Sequence, residues 1–142
     1  KVVHQSGAKQ IDALREAYQA AGVQAELTPF IDDTATAFAD ADLIICRAGA
    51  STVTEIAAVG AAAVYVPFPF AVDDHQTTNA RFLVEAGGGW LLPQTELTPE
   101  HLAGLILQTT RADLLARAEQ AKKMQKIEAT TEVVSACEEL AR

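Results

Sequence analysis

At 142 residues, 49% hydrophobic and 21% charged, the chain is sized and composed as one globular domain rather than a disordered segment. A formal net charge of −8 argues against a nucleic-acid groove or a basic membrane-docking face, so an anionic ligand has to be held by local backbone dipoles and a few cations. No apolar stretch reaches the length of a membrane span, and Cys46 and Cys137 show neither zinc spacing nor a strong disulfide signal, as in a reducing cytosol.

Short apolar runs alternate with helical periods along the whole chain, which predicts βα units on a mostly parallel sheet. Val2 to Gln5 reads as a strand already under way, and the chain is expected to be a fragment. Ile11, Leu14 and Tyr18 recur at helical spacing, with Gly22 as the stop. Gln24 to Thr28 is a second strand, ended by Pro29. Asp33 is placed to cap a short helix through Ala39. The uniformly apolar Leu43-Ile44-Ile45-Cys46 suits a central strand covered on both faces. A helix is expected from Ser51 or Thr52 to Gly60, then a strand from Ala62 to Val66 broken by Pro67-Phe68-Pro69. The next helix runs from about His75 to Ala86, Gly87-Gly88-Gly89 ends it, and Trp90-Leu91-Leu92 is the fifth strand. Thr98-Pro99 reads as an N-cap with proline at the first helical position, and the remainder is helix with breaks near Thr109 and Glu128. With no repeat and no low-complexity linker, residues 1–142 are read as one domain.

Ligands of such sheets sit beyond the carboxyl ends of the strands, so function is sought in four loops: residues 4–7, 30–33, 47–52 and 67–76. In Cys46-Arg47-Ala48-Gly49-Ala50-Ser51-Thr52-Val53-Thr54-Glu55 a buried strand enters a turn of small residues and then a helix start. Free N–H groups and the positive helix end make such a turn a phosphate cradle, with Arg47 a cation at its rim; an ordinary βα turn has the same composition. Neither the dinucleotide fingerprint nor a P-loop is present, which argues against NAD and ATP. Glu55 has two readings: partner of Thr52 in a capping box, or acceptor for both hydroxyls of a ribose. Asp73-Asp74-His75-Gln76 invites a metal reading, but adjacent residues point in different directions and do not easily converge on one ion. Asp73 as N-cap with Gln76 three residues on is the plain alternative, and an amide and an imidazole reaching sugar hydroxyls is another, with Asn79 one turn further along. His4-Gln5 closes a strand at the same edge. His101 is expected in solvent and Trp90 in the core, and no Ser-His-Asp or Cys-His arrangement is supported.

Taken in order, His4-Gln5-Ser6-Gly7, Phe30-Ile31-Asp32-Asp33, the run from Asp42 to Glu55, Val66-Pro67-Phe68, and Asp73-x-His75-Gln76-x-x-Asn79-Ala80 make the chain recognisable. It resembles the C-terminal domain of the bacterial peptidoglycan glycosyltransferases that add N-acetylglucosamine to lipid-linked N-acetylmuramoyl-pentapeptide. The resemblance covers essentially all of the chain. It implies an α/β, Rossmann-like parallel sheet, the C-terminal half of a type-B glycosyltransferase lacking its first βα unit and that unit's Gly-rich loop. It further implies a site for UDP-N-acetylglucosamine: the Ile31 backbone at the uracil, Ala50, Ser51 and Thr52 at the diphosphate, Glu55 at the ribose, and His75 with Gln76 at the sugar. Arg47 and Asn79 match motif positions of that site. No cofactor and no essential metal are implied, and no catalytic residue lies in this part. The acceptor site, the general base and the membrane contact would belong to a missing N-terminal domain, with the whole protein cytoplasmic and peripheral on the inner membrane. Another UDP-sugar enzyme, transferase or epimerase, and a non-catalytic Rossmann-like binding domain are the competing readings.

Overall fold

In the computed structural model every paired strand runs parallel to its neighbour, the arrangement expected of alternating βα units. Residues 1–141 are described, Val72 in its backbone alone. The elements are β1 (Val3–Gln5), α1 (Ile11–Ala20), β2 (Glu26–Thr28), α2 (Thr34–Ala39), β3 (Ile44–Cys46), α3 (Ala50–Val59), β4 (Ala63–Tyr65), α4 (His75–Val84), β5 (Gly89–Leu91), α5 (Pro99–Gln108), α6 (Arg111–Lys123) and α7 (Ala129–Leu140). Short 3-10 turns lie at Val72–Asp74 and Gln94–Glu96. The strands form two ladders, β1-β2 and β3-β4-β5, and the chain groups into two compact units, Lys1–Ala37 and Phe38–Arg142.

In the first unit β1 and β2 pair with Val3 opposite Glu26 and Gln5 opposite Thr28. Helix α1 buries Ile11 and stops where predicted. Gly22 takes a left-handed φ of 65°, which a side chain rarely adopts, and the Val23 N–H returns to the Tyr18 carbonyl at 3.1 Å. Asp33 caps α2 as expected. One carboxylate oxygen accepts the Thr36 N–H at 3.0 Å, the other the Thr36 hydroxyl at 2.6 Å, and these bonds hold its pKa below the ordinary value.

In the second unit β4, not β3, is the central strand. Ala63, Val64 and Tyr65 are fully buried, whereas Ile45 of β3 is 46% exposed. The two strands are equally apolar, and which one gains neighbours on both sides is decided by pairing far along the chain. Alternation along β4 divides the core. Ala63 and Tyr65 join Ile44, Val53, Ile56, Ala57, Ala80 and Leu83 on the face covered by α3 and α4, while Val64 faces Val66, Leu92, Trp90, Leu102 and Leu105 on the side of α5. Ile56 and Leu83 are wholly buried, each contributing about 1.5–3 kcal/mol. Trp90 thus packs in the core region, as its sequence context predicts.

Strand β5 fits only because Gly89 lacks a side chain. A Cβ there would lie 2.5 Å from the Ala63 carbonyl oxygen and 2.8 Å from the Tyr65 ring. At Gly88 a Cβ would lie 3.1 Å from the Ala121 backbone, so α6 approaches the glycine run closely. Burial raises the Tyr65 hydroxyl pKa, with a further contribution from neighbouring Cys46, and burial pushes the Cys46 thiol up to about 12.

Thr98 caps α5 by accepting the His101 N–H at 3.1 Å, with Pro99 at the first helical position, as the sequence indicates. The His101 ring is exposed and its Nδ1 lies 2.9 Å from the Glu96 carbonyl oxygen. The break near Thr109 is followed by a capping box absent from the sequence reading. Thr110 accepts the Asp113 N–H at 3.1 Å while Asp113 accepts the Thr110 N–H at 2.9 Å. After the break before Glu128, α7 leaves Val133, Val134 and Leu140 exposed.

Candidate functional site

The β3–α3 turn leads into an uncapped helix start. Helix α3 begins at Ala50, earlier than the predicted Ser51 or Thr52. Its N-cap is Gly49 in an extended conformation (φ −63°, ψ 149°), with no side chain to cap the helix. The first N–H returned to a carbonyl is that of Val53, to Gly49 at 3.0 Å. The N–H groups of Ala50, Ser51 and Thr52 therefore sit at the uncapped, positive end of a ten-residue helix.

The earlier start removes one reading of Glu55. With Gly49 as N-cap, Thr52 and Glu55 both lie inside α3 and the Thr52–Glu55 capping box does not form. The Glu55 carboxylate is exposed, one turn beyond Thr52, and among the described residues it has no hydrogen bond or ion pair. It is a charged acceptor with its capacity unused.

The turn is held from the far side by α4. Gln76 and Asn79, three apart and so on one face of that helix, both reach Ala48, which is completely buried. Gln76 Oε1 accepts the Ala48 N–H at 3.3 Å, and Asn79 Nδ2 donates to the Ala48 carbonyl at 3.1 Å. The same Gln76 oxygen accepts the Phe68 N–H at 2.9 Å, so one amide ties the loop after β3 to the loop after β4. Two N–H donors fix which end of the amide is oxygen, leaving Nε2 as its donor end. Arg47 adds a third tie. Its guanidinium donates to the carbonyls of Val66 at 3.2 Å and Pro67 at 3.1 Å, and lies 5.6 Å from the centroid of the Phe68 ring. Arg47 thus braces the β4–α4 loop.

That loop departs from the predicted capping. The N-cap of α4 is Asp74, not Asp73, and no side chain caps the helix; Asp74 instead accepts the Thr77 hydroxyl at 2.6 Å. Asp73 and Asp74 both have left-handed backbones, with φ of 51° and 52°. Two consecutive non-glycine residues there carry about 1–2 kcal/mol of strain each, a feature that clusters at ligand-binding turns. The turn delivers His75, exposed, to the first position of α4. Among the described residues no three His, Cys, Asp or Glu side chains are grouped to hold a metal ion.

Ile31 lies in the first unit. Its N–H donates to Gln5 Oε1 at 2.8 Å, which leaves the carbonyl as the remaining backbone hydrogen-bonding group of Ile31. His4 is engaged elsewhere, with Nδ1 3.1 Å from the Tyr18 hydroxyl. The role of Gln5 has no local signal, because its partner is 26 residues away. Arg47, Ala50, Ser51, Thr52, Glu55, His75, Gln76 and Asn79 all lie in the second unit, on α3, α4 and the turn before α3.

Comparison with known proteins agrees with this architecture. The family model described as the glycosyltransferase family 28 C-terminal domain matches residues 1–139. The chain is 69% identical over 141 residues to the UDP-N-acetylglucosamine--N-acetylmuramyl-(pentapeptide) pyrophosphoryl-undecaprenol N-acetylglucosamine transferase of Albidiferax ferrireducens, covering 99% of this chain and 36% of that protein. It is 71% identical over 141 residues to the protein of the same name from Polaromonas naphthalenivorans, covering 99% and 39%. The crystal structure of Acinetobacter baumannii MurG superposes with a TM-score of 0.90 at 44% identity, over 96% of this chain and 42% of that one. The chain therefore spans well under half the length of the relatives it matches. With its α/β architecture, parallel ladders and this match along nearly its whole length, the chain belongs to the glycosyltransferase family 28 C-terminal domain family.

Proposed function

We propose that this chain is the donor-binding part of an inverting N-acetylglucosaminyltransferase that takes UDP-N-acetylglucosamine and glycosylates undecaprenyl-pyrophosphoryl-N-acetylmuramoyl-pentapeptide. The observation that carries the reading is the uncapped start of α3, with the N–H groups of Ala50, Ser51 and Thr52 at its positive end and the unpartnered Glu55 carboxylate one turn on. The identity to transferases whose names state that donor and acceptor supports it.

In this reading the diphosphate lies against the N–H groups of Ala50, Ser51 and Thr52, and Glu55 accepts hydrogen bonds from both ribose hydroxyls. His75 and the donor end of Gln76 meet the N-acetylglucosamine, while Arg47 and Asn79 line the same two loops. In the first unit the Ile31 carbonyl takes the N3–H of uracil, its own N–H being held by Gln5. The C4 hydroxyl of the muramoyl residue attacks the anomeric carbon, the bond to the UDP oxygen breaks, and configuration inverts. The negative charge that develops on the departing diphosphate is stabilised by N–H dipoles already in place. Acceptor, general base and membrane contact belong to the part of the protein outside this chain, and the whole protein works peripherally on the cytoplasmic face of the inner membrane.

Calorimetric titration of the full-length protein tests the reading. UDP-N-acetylglucosamine and UDP bind, and an adenine nucleotide does not. Equal binding of adenine and uracil nucleotides overturns it, as does failure to transfer labelled N-acetylglucosamine to the lipid-linked acceptor.

A further inference from the structure

Ala48 is fully buried and the two peptide groups that flank it are each held by a side chain of α4, the one before it through its N–H by Gln76 and the one after it through its carbonyl by Asn79. Ala48 immediately precedes the N-cap Gly49, and no side chain caps the helix beyond it. The direction in which the N–H groups of Ala50, Ser51 and Thr52 point therefore depends on how the Ala48–Gly49 peptide is oriented. Glycine at the N-cap contributes little stiffness of its own, since a Cβ there would meet only Thr52 Oγ1, at 3.8 Å. Asn79 is half-buried and spends its Nδ2 donor on the Ala48 carbonyl.

We infer that Asn79 is a positioning residue for the diphosphate. By holding the Ala48 carbonyl it fixes the peptide plane ahead of α3, so that the first N–H groups of that helix converge on the leaving group without rearranging. It need not touch the ligand. The inference rests on the proposed diphosphate site, and it differs from a direct Asn79–sugar contact in what it predicts for ligands without a sugar. Preorganised dipoles act only on the charge placed before them, so their loss is felt by the diphosphate and not by the nucleoside.

The experiment compares Asn79→Ala and Asn79→Leu with the wild type in the full-length protein, titrating uridine, UDP and UDP-N-acetylglucosamine by calorimetry. Asn79→Leu stays close to the volume of the side chain, adds no charge and removes the Nδ2 donor to the Ala48 carbonyl, which guards against an Asn79→Ala variant that fails to fold. The expected result is a drop of about tenfold in affinity for UDP and for UDP-N-acetylglucosamine alike, with uridine within twofold of wild type. Loss confined to UDP-N-acetylglucosamine makes Asn79 a sugar contact and overturns the inference. Equal loss for all three ligands makes it a structural residue, and no loss makes the tie idle; either outcome overturns it too. Failure of wild-type protein to bind UDP strikes the proposed function instead.

Discussion

The Arg117 guanidinium lies 3.9 Å from the centroid of the Trp90 ring and donates to the Gly89 carbonyl at 2.9 Å, clamping α6 onto β5. A planar guanidinium can stack on an indole and donate in its own plane at once; an ammonium cannot do both. Arg117→Lys is expected to lower unfolding free energy by about 1–2 kcal/mol despite keeping the charge. Urea denaturation of wild type and variant checks it, and an unchanged midpoint would show that the clamp contributes nothing.

A second expectation concerns the strand that Arg117 covers. Gly89→Ala pushes a methyl to within 2.5 Å of the Ala63 oxygen and 2.8 Å of the buried Tyr65 ring. Neither neighbour is the flexible end of a side chain, so the β4–β5 pairing must open. The cost is expected at about 3 kcal/mol or more, seen as a large fall in melting temperature or as insoluble protein.

Gly49→Ser separates stability from function. The position has room for a Cβ and an ordinary φ, and serine is a better N-cap than glycine. Its hydroxyl would accept the N–H of Ser51 or Thr52 and raise stability by a few tenths of a kcal/mol. The same N–H groups would then be partly withdrawn from the diphosphate. Melting temperature rises while UDP affinity falls; a rise in both refutes the placement of the diphosphate.

Glu55→Gln bears on the ribose. Because no capping box forms, the substitution is expected to leave the melting temperature unchanged. An amide has one acceptor oxygen where a carboxylate accepts from both hydroxyls, and charge-assisted bonds of about 1.5–3 kcal/mol imply a ten- to hundredfold loss of UDP-sugar affinity. Donor binding like that of wild type removes Glu55 from the site.

Acid sensitivity should include the α6 capping box. The Thr110 hydroxyl, then its backbone N–H, hold the Asp113 carboxyl below the usual carboxylate value. A carboxylate depressed in the folded state stabilises the fold above its unfolded pKa, and that contribution disappears as pH falls through the folded value. Thr110→Val should therefore be less stable than wild type at neutral pH, with the difference shrinking as pH drops below the carboxylate range. A difference that stays constant with pH would mean that the Asp113 charge plays no part.

Sequence made legible what neighbouring residues decide among themselves. Asp33 and Thr98 cap their helices through bonds three residues long, Gly22 ends α1 by its left-handed backbone, and the apolar runs became parallel strands. The candidate site is legible only as a set of loops, since loops at strand ends follow from the βα order. What it left obscure depends on distance along the chain. The Gln76–Ala48 and Asn79–Ala48 ties span 28 and 31 residues, and no local pattern announces them. The start of α3 was misplaced because glycine in an extended conformation carries no side-chain cap to mark it. No local pattern marks the succession of left-handed residues at Asp73 and Asp74, because aspartate is equally at home as an N-cap.

The environment of Cys46 sorts the two thiols of this chain by reactivity. With its pKa pushed up to about 12, Cys46 stays protonated at neutral pH, and the nucleophile in thiol chemistry is the thiolate. Cys137, by contrast, stands exposed on α7. An alkylating dye should consequently mark this chain at one position without mutagenesis. The helix that carries it then serves as a reporter, whose fluorescence follows ligand binding or unfolding while the half-buried, protonated sulfur of Cys46 beside β4 reacts far more slowly.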